Sequence, residues 1–122
     1  DKVVFFGKID FNDLFEITKK ADLGLSFEKD TCLAYRYSLP NKIFDYINAE
    51  VPVLVSDLPE FSNIIKAYSV GATLKSRNVK NVAKQITELL SIPKTHWSTK
   101  LSKAKQAYCW KKQEIKLLSF FD

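Results

Sequence analysis

One short run, residues 51–55 (VPVLV), limits the possible folds of this chain more than any other feature. It contains no charged or polar side chain and has the length of a single strand. A strand that is apolar on both faces is typical of a parallel sheet that helices cover on both sides. The run therefore predicts an α/β fold built around a buried parallel sheet.

The segments on either side of this run alternate between strand and helix patterns. Short apolar stretches predict strands over residues 3–6, 21–27, 51–55 and 70–74. Helical spacing of apolar side chains predicts helices over residues 10–20, 40–49, 79–90, 97–108 and 111–120, and one that begins at residue 60. Residues 28–37 are expected to form an irregular polar loop. This order predicts a Rossmann-like parallel sheet with right-handed crossovers and helices on both faces.

The length and the charge distribution bound the classes of protein to which the chain can belong. Its 122 residues suit a single domain, and because Asp1 leads almost directly into the first predicted strand, we expect a piece of a longer protein. The net charge is +5, and the whole excess lies in residues 93–122, which contain seven Lys and two acidic residues. A nucleic-acid-binding domain would carry a basic patch interleaved with aromatic side chains, so we expect no nucleic-acid partner.

The basic C-terminal helices, predicted within residues 93–122, leave two interpretations open. Their lysines are either a solvated helix face or a surface that is attracted to anionic lipids. No apolar run reaches the roughly 18–20 residues that a membrane span requires. We therefore expect a cytoplasmic protein that is peripheral, at most, to the inner face of the membrane.

No metal or cofactor site is expected from the residues that usually build one. Cys32 and Cys109 are far apart, and His96 is the only histidine, so no cluster has the spacing of zinc ligands. The chain also lacks the glycine patterns of the dinucleotide fingerprint and of the P-loop.

The segment SLPNKIFDYI, residues 38–47, carries the clearest chemical signal. Lys42 stands in the first turn of a predicted helix, where a cation opposes the helix dipole unless an anion is bound. Asp45 follows at i,i+3 spacing, on the same side of the helix, and its carboxylate could accept hydrogen bonds from a ribose diol. The pair therefore indicates a nucleoside diphosphate, but an exposed Lys42–Asp45 ion pair explains the same spacing.

From residue 3 to about residue 108, the chain resembles the C-terminal, donor-binding domain of GT-B glycosyltransferases of the large retaining family four. The landmarks occur in the family's order: VFFG (4–7), ADLGLS (21–26), SLPNKIFDYI (38–47), PVLVSDLPE (52–60) and GATLKS (71–76). The likeness is greatest to bacterial members with a P-x-K-x-x-E/D-Y segment. The resemblance implies one half of a GT-B fold.

The resemblance also implies roles for individual residues. Asp45 corresponds to the second acid of the family's E-x7-E element and would bind the ribose hydroxyls. The diphosphate would meet Lys42 and the backbone around Leu39, Pro40 and Asn41. The nucleobase edge would meet the backbone of Gly7, Lys8 and Ile9.

This sequence departs from the family at two places in that element. The second acid is Asp45 rather than the commoner Glu, and the position eight residues before it is Tyr37 rather than an acid. The family's first acid is thus missing at that register. Glu28 or Asp30 could replace it from the preceding loop.

The implied function is the binding of a nucleotide-sugar donor, which we expect to be a UDP-sugar. No metal ion is expected to take part. The parent enzyme would transfer the sugar to an acceptor hydroxyl in the synthesis of capsule, lipopolysaccharide or exopolysaccharide. The acceptor-binding N-terminal domain is the expected partner, and this chain alone is expected to be inactive. Two alternatives stay open: a degenerate, non-catalytic interaction module, and half of a nucleotide-sugar epimerase.

Overall fold

The computed structural model describes residues 2–122 and contains one parallel sheet. Its three strands are β1 (Gly24–Ser26), β2 (Val53–Val55) and β3 (Gly71–Thr73), in the order β1-β2-β3. Both neighbouring pairs are parallel, with Leu54 opposite Leu25 on one side and opposite Ala72 on the other. The predicted parallel α/β architecture is confirmed.

The described residues form seven helices, which connect and follow the strands. They are α1 (Phe11–Thr18), α2 (Leu33–Arg36), α3 (Lys42–Asn48), α4 (Pro59–Tyr68), α5 (Val79–Leu90), α6 (Lys94–Tyr108) and α7 (Trp110–Leu118). Pro59 occupies the first turn of α4, where the missing N–H costs nothing. Pro93 separates α5 from α6, as its sequence position predicts.

The core lies around the central strand and three helices that pack together. All three residues of β2 are fully buried, which confirms the prediction from the VPVLV run. Helix α6 contacts both α3 and α4. It presents Trp97, Leu101 and Ala104 to the core at the spacing of one helix face, and all three are buried. The C-terminal segment is therefore an integral part of the domain as far as α6.

Two sequence-based predictions are wrong. Residues 3–6 form no strand, and their four side chains are exposed, because within residues 2–122 the segment pairs with no other strand. An apolar sequence without a hydrogen-bonding neighbour cannot be a sheet strand. The stretch predicted to be an irregular loop contains the four-residue helix α2. The other predicted elements exist with bounds that differ by a few residues.

Within the described residues, no helix is both long and apolar enough to cross a bilayer. Helix α7 is exposed along its whole length. It contacts only α6 appreciably and buries none of its own residues.

Candidate functional site

The carboxyl ends of the parallel strands lie at one edge of the sheet, where Ser26 ends β1 and Ser56 directly follows β2. Both serines are about 1% exposed. The Ser56 N–H donates to the Ser26 carbonyl at 3.0 Å, which continues the strand pairing by one step. Small polar side chains are thus fixed at the edge where ligands of such sheets bind.

Glu28 is held at this edge by its backbone carbonyl. The Ser56 hydroxyl and the Arg77 guanidinium both donate to that carbonyl oxygen. Arg77 Nη2 also lies 3.1 Å from Ser56 Oγ, so the end of β2 and the segment after β3 converge on one residue. The loop after β1 is therefore fixed by two elements that are distant in sequence.

The Glu28 carboxylate points into the same region as the Lys42 ammonium. Ser26 Oγ donates to Glu28 Oε1 at 3.4 Å, and Lys42 Nζ lies 3.9 Å from the same oxygen. The Glu28 side chain is 27% exposed and that of Lys42 is 63% exposed, so the pair is open to solvent and contributes little to stability. A ligand could separate the two charges at small cost.

Lys42 does not pair with Asp45. No salt bridge joins them in the part of the chain that the structure describes, where the acid nearest to Lys42 is Glu28. The exposed i,i+3 ion pair that the spacing allows is therefore not formed. Burial raises the pKa of the Asp45 carboxyl above its ordinary value, with no partner that offsets the cost. A carboxylate with free acceptor positions is available to a ligand.

Lys42 and Asp45 share one cavity of about 230 Å³ between α1 and α3. Helix α1 contributes Phe11, Leu14, Phe15 and Thr18 to the lining of the cavity. Helix α3 contributes Lys42, Asp45 and Tyr46. One wall is thus apolar and partly aromatic, whereas the opposite wall carries a cation and an anion. This composition is typical of sites that hold an aromatic ring beside polar groups.

Tyr46 fixes α3 against β1. Its hydroxyl donates to the Leu25 carbonyl at 3.2 Å. Its ring lies over Gly24 so closely that a Cβ at Gly24 would lie 2.5 Å from a ring carbon. Glycine at that position therefore lets the helix that carries Lys42 and Asp45 approach the sheet.

The other predicted ligand-binding residues fall elsewhere. Lys8 and Ile9, with acidic neighbours, line a different depression beside the start of α1, and Gly7 precedes them with φ of +68°. Leu39 packs against the core rather than into the cavity, Pro40 is half-buried beside it, and Asn41 is exposed at the start of α3. Lys42 and Asp45 line the same cavity, whereas none of these other predicted residues lines it.

The two candidates for the missing first acid differ in their surroundings. Asp30 is bound by Arg36, with its carboxylate oxygens 3.0 and 3.1 Å from Arg36 Nε. Tyr37 is exposed at the end of α2. Glu28, by contrast, faces Lys42. No group of three His, Cys, Asp or Glu side chains among residues 2–122 could hold a metal ion.

The sequence pattern points to residues 75–77 as a segment at the carboxyl ends of the strands, where ligands bind. It predicts no ligand-binding role for Arg77 itself or for the apolar side chains of α1. Phe11, Leu14 and Phe15 repeat at helical spacing, which indicates core packing as readily as a ligand wall.

Comparison with known proteins returns no match. No family model matches the chain, and no curated protein or solved structure is significantly similar to it.

Proposed function

We propose that this chain is the donor-binding half of a glycosyltransferase of the GT-B type and that it binds a UDP-sugar. In this proposal the sheet is the Rossmann-like core of that half. The parent enzyme transfers the sugar to an acceptor hydroxyl during the synthesis of a bacterial surface polysaccharide, on the cytoplasmic side of the membrane. The reaction needs a second, acceptor-binding domain, so the chain alone is inactive.

The observation that carries this proposal is the cavity that Lys42 and Asp45 share. Lys42 offers a cation to a diphosphate, and Asp45 offers a partly buried carboxylate without a protein partner to two ribose hydroxyls. The apolar side chains of α1 provide a surface on which a nucleobase can lie. A site with these three features in one cavity suits a nucleoside diphosphate better than it suits a simple phosphate.

The epimerase alternative is weaker, because epimerases of this fold usually place a histidine among acids at the site. His96 stands in the first turn of α6 instead, with its ring 4.7 Å from the Trp97 ring and its Nε2 3.0 Å from Lys100 Nζ. The interaction-module alternative does not explain why the Asp45 carboxylate is partly buried and unpaired. The interaction-module alternative predicts that UDP does not bind, whereas an epimerase half would also bind a nucleotide sugar and differs in the reaction of its parent enzyme.

Lys42→Ala is expected to weaken UDP binding by roughly 10-fold or more, because a hydrogen bond to a charged group contributes about 1.5–3 kcal/mol. The affinity of the wild-type chain is expected to be near millimolar, which corresponds to about −4 kcal/mol. Titration followed by NMR measures dissociation constants in this range. Lys103→Ala removes the same charge from an exposed position on α6 and is the matched control. Equal weakening by both variants would show that only net charge matters and would contradict the proposed role of Lys42.

We also propose that α7 lies on an anionic membrane surface, where a lipid-linked acceptor would be found. Trp110, Ile115 and Leu118 are exposed apolar side chains on this helix, and Phe120 and Phe121 follow it, also exposed. Lysines occupy much of the rest of the helix. This combination is typical of helices that bind at the lipid interface.

The double variant Lys111→Gln and Lys112→Gln is expected to bind anionic vesicles more weakly, by roughly fivefold for each lysine removed. Co-sedimentation with vesicles of phosphatidylcholine and phosphatidylglycerol measures the effect, and pure phosphatidylcholine vesicles give the baseline. The double glutamine variant of Lys80 and Lys84, on α5, is the matched control. Binding that does not depend on the anionic lipid would contradict the proposal.

A further inference from the structure

Glu28 stands beyond Lys42 as seen from the cavity. Lys42 lines the cavity together with Asp45, and its ammonium lies 3.9 Å from the Glu28 carboxylate, which does not line that cavity. Of the side chains that line the cavity, Lys42 is the one for which an ion pair with Glu28 is found in the described part of the chain. Lys42 thus connects the cavity that Asp45 lines with Glu28.

A nucleotide sugar has a fixed chemical order of base, ribose, diphosphate and sugar. If the ribose lies at Asp45 and the diphosphate at Lys42, then the sugar lies on the side of Glu28. The position of Glu28 is also well defined. Its carbonyl is held by Ser56 and Arg77, and its carboxylate accepts from the buried Ser26 hydroxyl. A carboxylate held in this way accepts hydrogen bonds from hydroxyl groups and repels another carboxylate.

We propose that Glu28 is the specificity-determining residue for the sugar, and that it selects a neutral, hydroxyl-bearing sugar over a uronate. This inference rests on the proposed function. Asp30 has no such role, because Arg36 occupies its carboxylate.

The same carboxylate has a second, measurable effect. Glu28 partly neutralises Lys42 and adds negative charge next to the diphosphate, so it opposes the binding of UDP alone. Removal of its charge should therefore raise the affinity for UDP and at the same time lower the preference among sugars. A misfolded variant would instead lose affinity for every ligand, so misfolding and loss of the Glu28 charge give different results.

The experiment compares UDP, UDP-glucose and UDP-glucuronate as ligands of the 122-residue chain and its Glu28→Gln variant. We expect the wild-type chain to prefer UDP-glucose to UDP-glucuronate by about 10-fold, as a nearby like charge would impose. In Glu28→Gln the preference should shrink to within about threefold, and UDP should bind about two- to fivefold more tightly. Asp30→Asn, which removes the same charge from the same loop, should keep the wild-type preference.

Three results overturn the inference. An unchanged preference in Glu28→Gln, with tighter UDP binding, would show that Glu28 is only the counterion of Lys42. A preference that Asp30→Asn reduces equally would show that the total charge of the loop decides. If no ligand bound the wild-type chain at all, the proposed function itself would fail, and the inference with it.

Discussion

Asp45→Asn is expected to weaken the binding of UDP-glucose by about 10- to 100-fold without weakening the fold. The amide keeps the size of the carboxyl, but it offers only one acceptor oxygen and places a donor where a ribose hydroxyl needs an acceptor. The charge that burial disfavours is also removed, so the free energy of unfolding should stay equal or rise slightly at neutral pH. Calorimetry or NMR titration gives the affinity, and denaturant unfolding gives the stability.

The pH dependence of the wild-type chain follows from the same carboxyl group. Burial raises the pKa of Asp45 above its ordinary value of 3.8, so the charged form is lost at a higher pH than in an exposed aspartate. Binding of UDP-glucose should fall as the pH drops through this raised pKa, and Asp45→Asn should show no such step. UDP-glucose is the suitable probe because its diphosphate is esterified at both ends and does not titrate in this range.

Fold stability should change with pH in the opposite direction. The native state holds the Asp45 proton more strongly than the unfolded chain does, so this group contributes stability below the unfolded pKa. That contribution is lost as the pH rises through the raised native pKa.

The binding of UDP-glucose gives the contradicting outcome for both pH predictions. A pH profile of binding that is identical in the wild-type chain and in Asp45→Asn would contradict the role of this carboxylate.

Gly71→Ala is expected to lower the free energy of unfolding by about 3 kcal/mol or more. A Cβ on Gly71 would lie 1.9 Å from the Val53 carbonyl oxygen and 2.8 Å from the Val53 backbone nitrogen. These atoms belong to the central strand and are held by the pairing of β2 with β3, so neither can move away without breaking the sheet. Denaturant unfolding with a constant slope measures the loss.

Gly7→Ala is the contrasting variant. A Cβ there meets no atom within 4 Å, but Gly7 has φ of +68°, which costs an alanine about 1 kcal/mol. We expect a smaller loss of stability than for Gly71→Ala, because the one effect is local backbone strain and the other is a clash inside the sheet. Equal effects would show that β3 does not need the close approach at Gly71.

Helices and strands whose burial depends only on their own side chains could be predicted from the sequence. Val53 to Val55 are apolar on both faces, and they form the buried central strand. Trp97, Leu101 and Ala104 repeat at helical spacing, and they are buried on one face of α6. In both cases burial is decided by the side chains of the segment itself, so the pattern is sufficient.

The strand expected at residues 3–6 shows where local evidence is insufficient. Its composition suits a strand, but a strand also needs a neighbour, and sequence pattern does not supply one. Within residues 2–122, none of the three strands of the sheet pairs with residues 3–6.

The site was only partly predictable for a related reason. Lys42 and Asp45 lie on one helix turn, so their spacing shows that they can act together. The contact of Lys42 with Glu28 crosses 14 positions and depends on how Ser56 and Arg77 fix the loop after β1. No property of the Glu28 segment alone distinguishes it from Asp30, whose carboxylate the structure places on Arg36.

Binding of uridine diphosphate in the cavity between α1 and α3 is tested most directly by an NMR titration of the isotope-labelled chain. UDP, GDP and AMP are added in turn up to several millimolar, since the expected affinity is about −4 kcal/mol. We predict that UDP shifts the amide signals of Phe11, Phe15, Lys42 and Asp45, that GDP and AMP shift them less, and that Asp45→Asn suppresses the response. If UDP left these signals unchanged, or if all three nucleotides caused the same shifts outside the cavity, the chain would not be a UDP-sugar-binding domain.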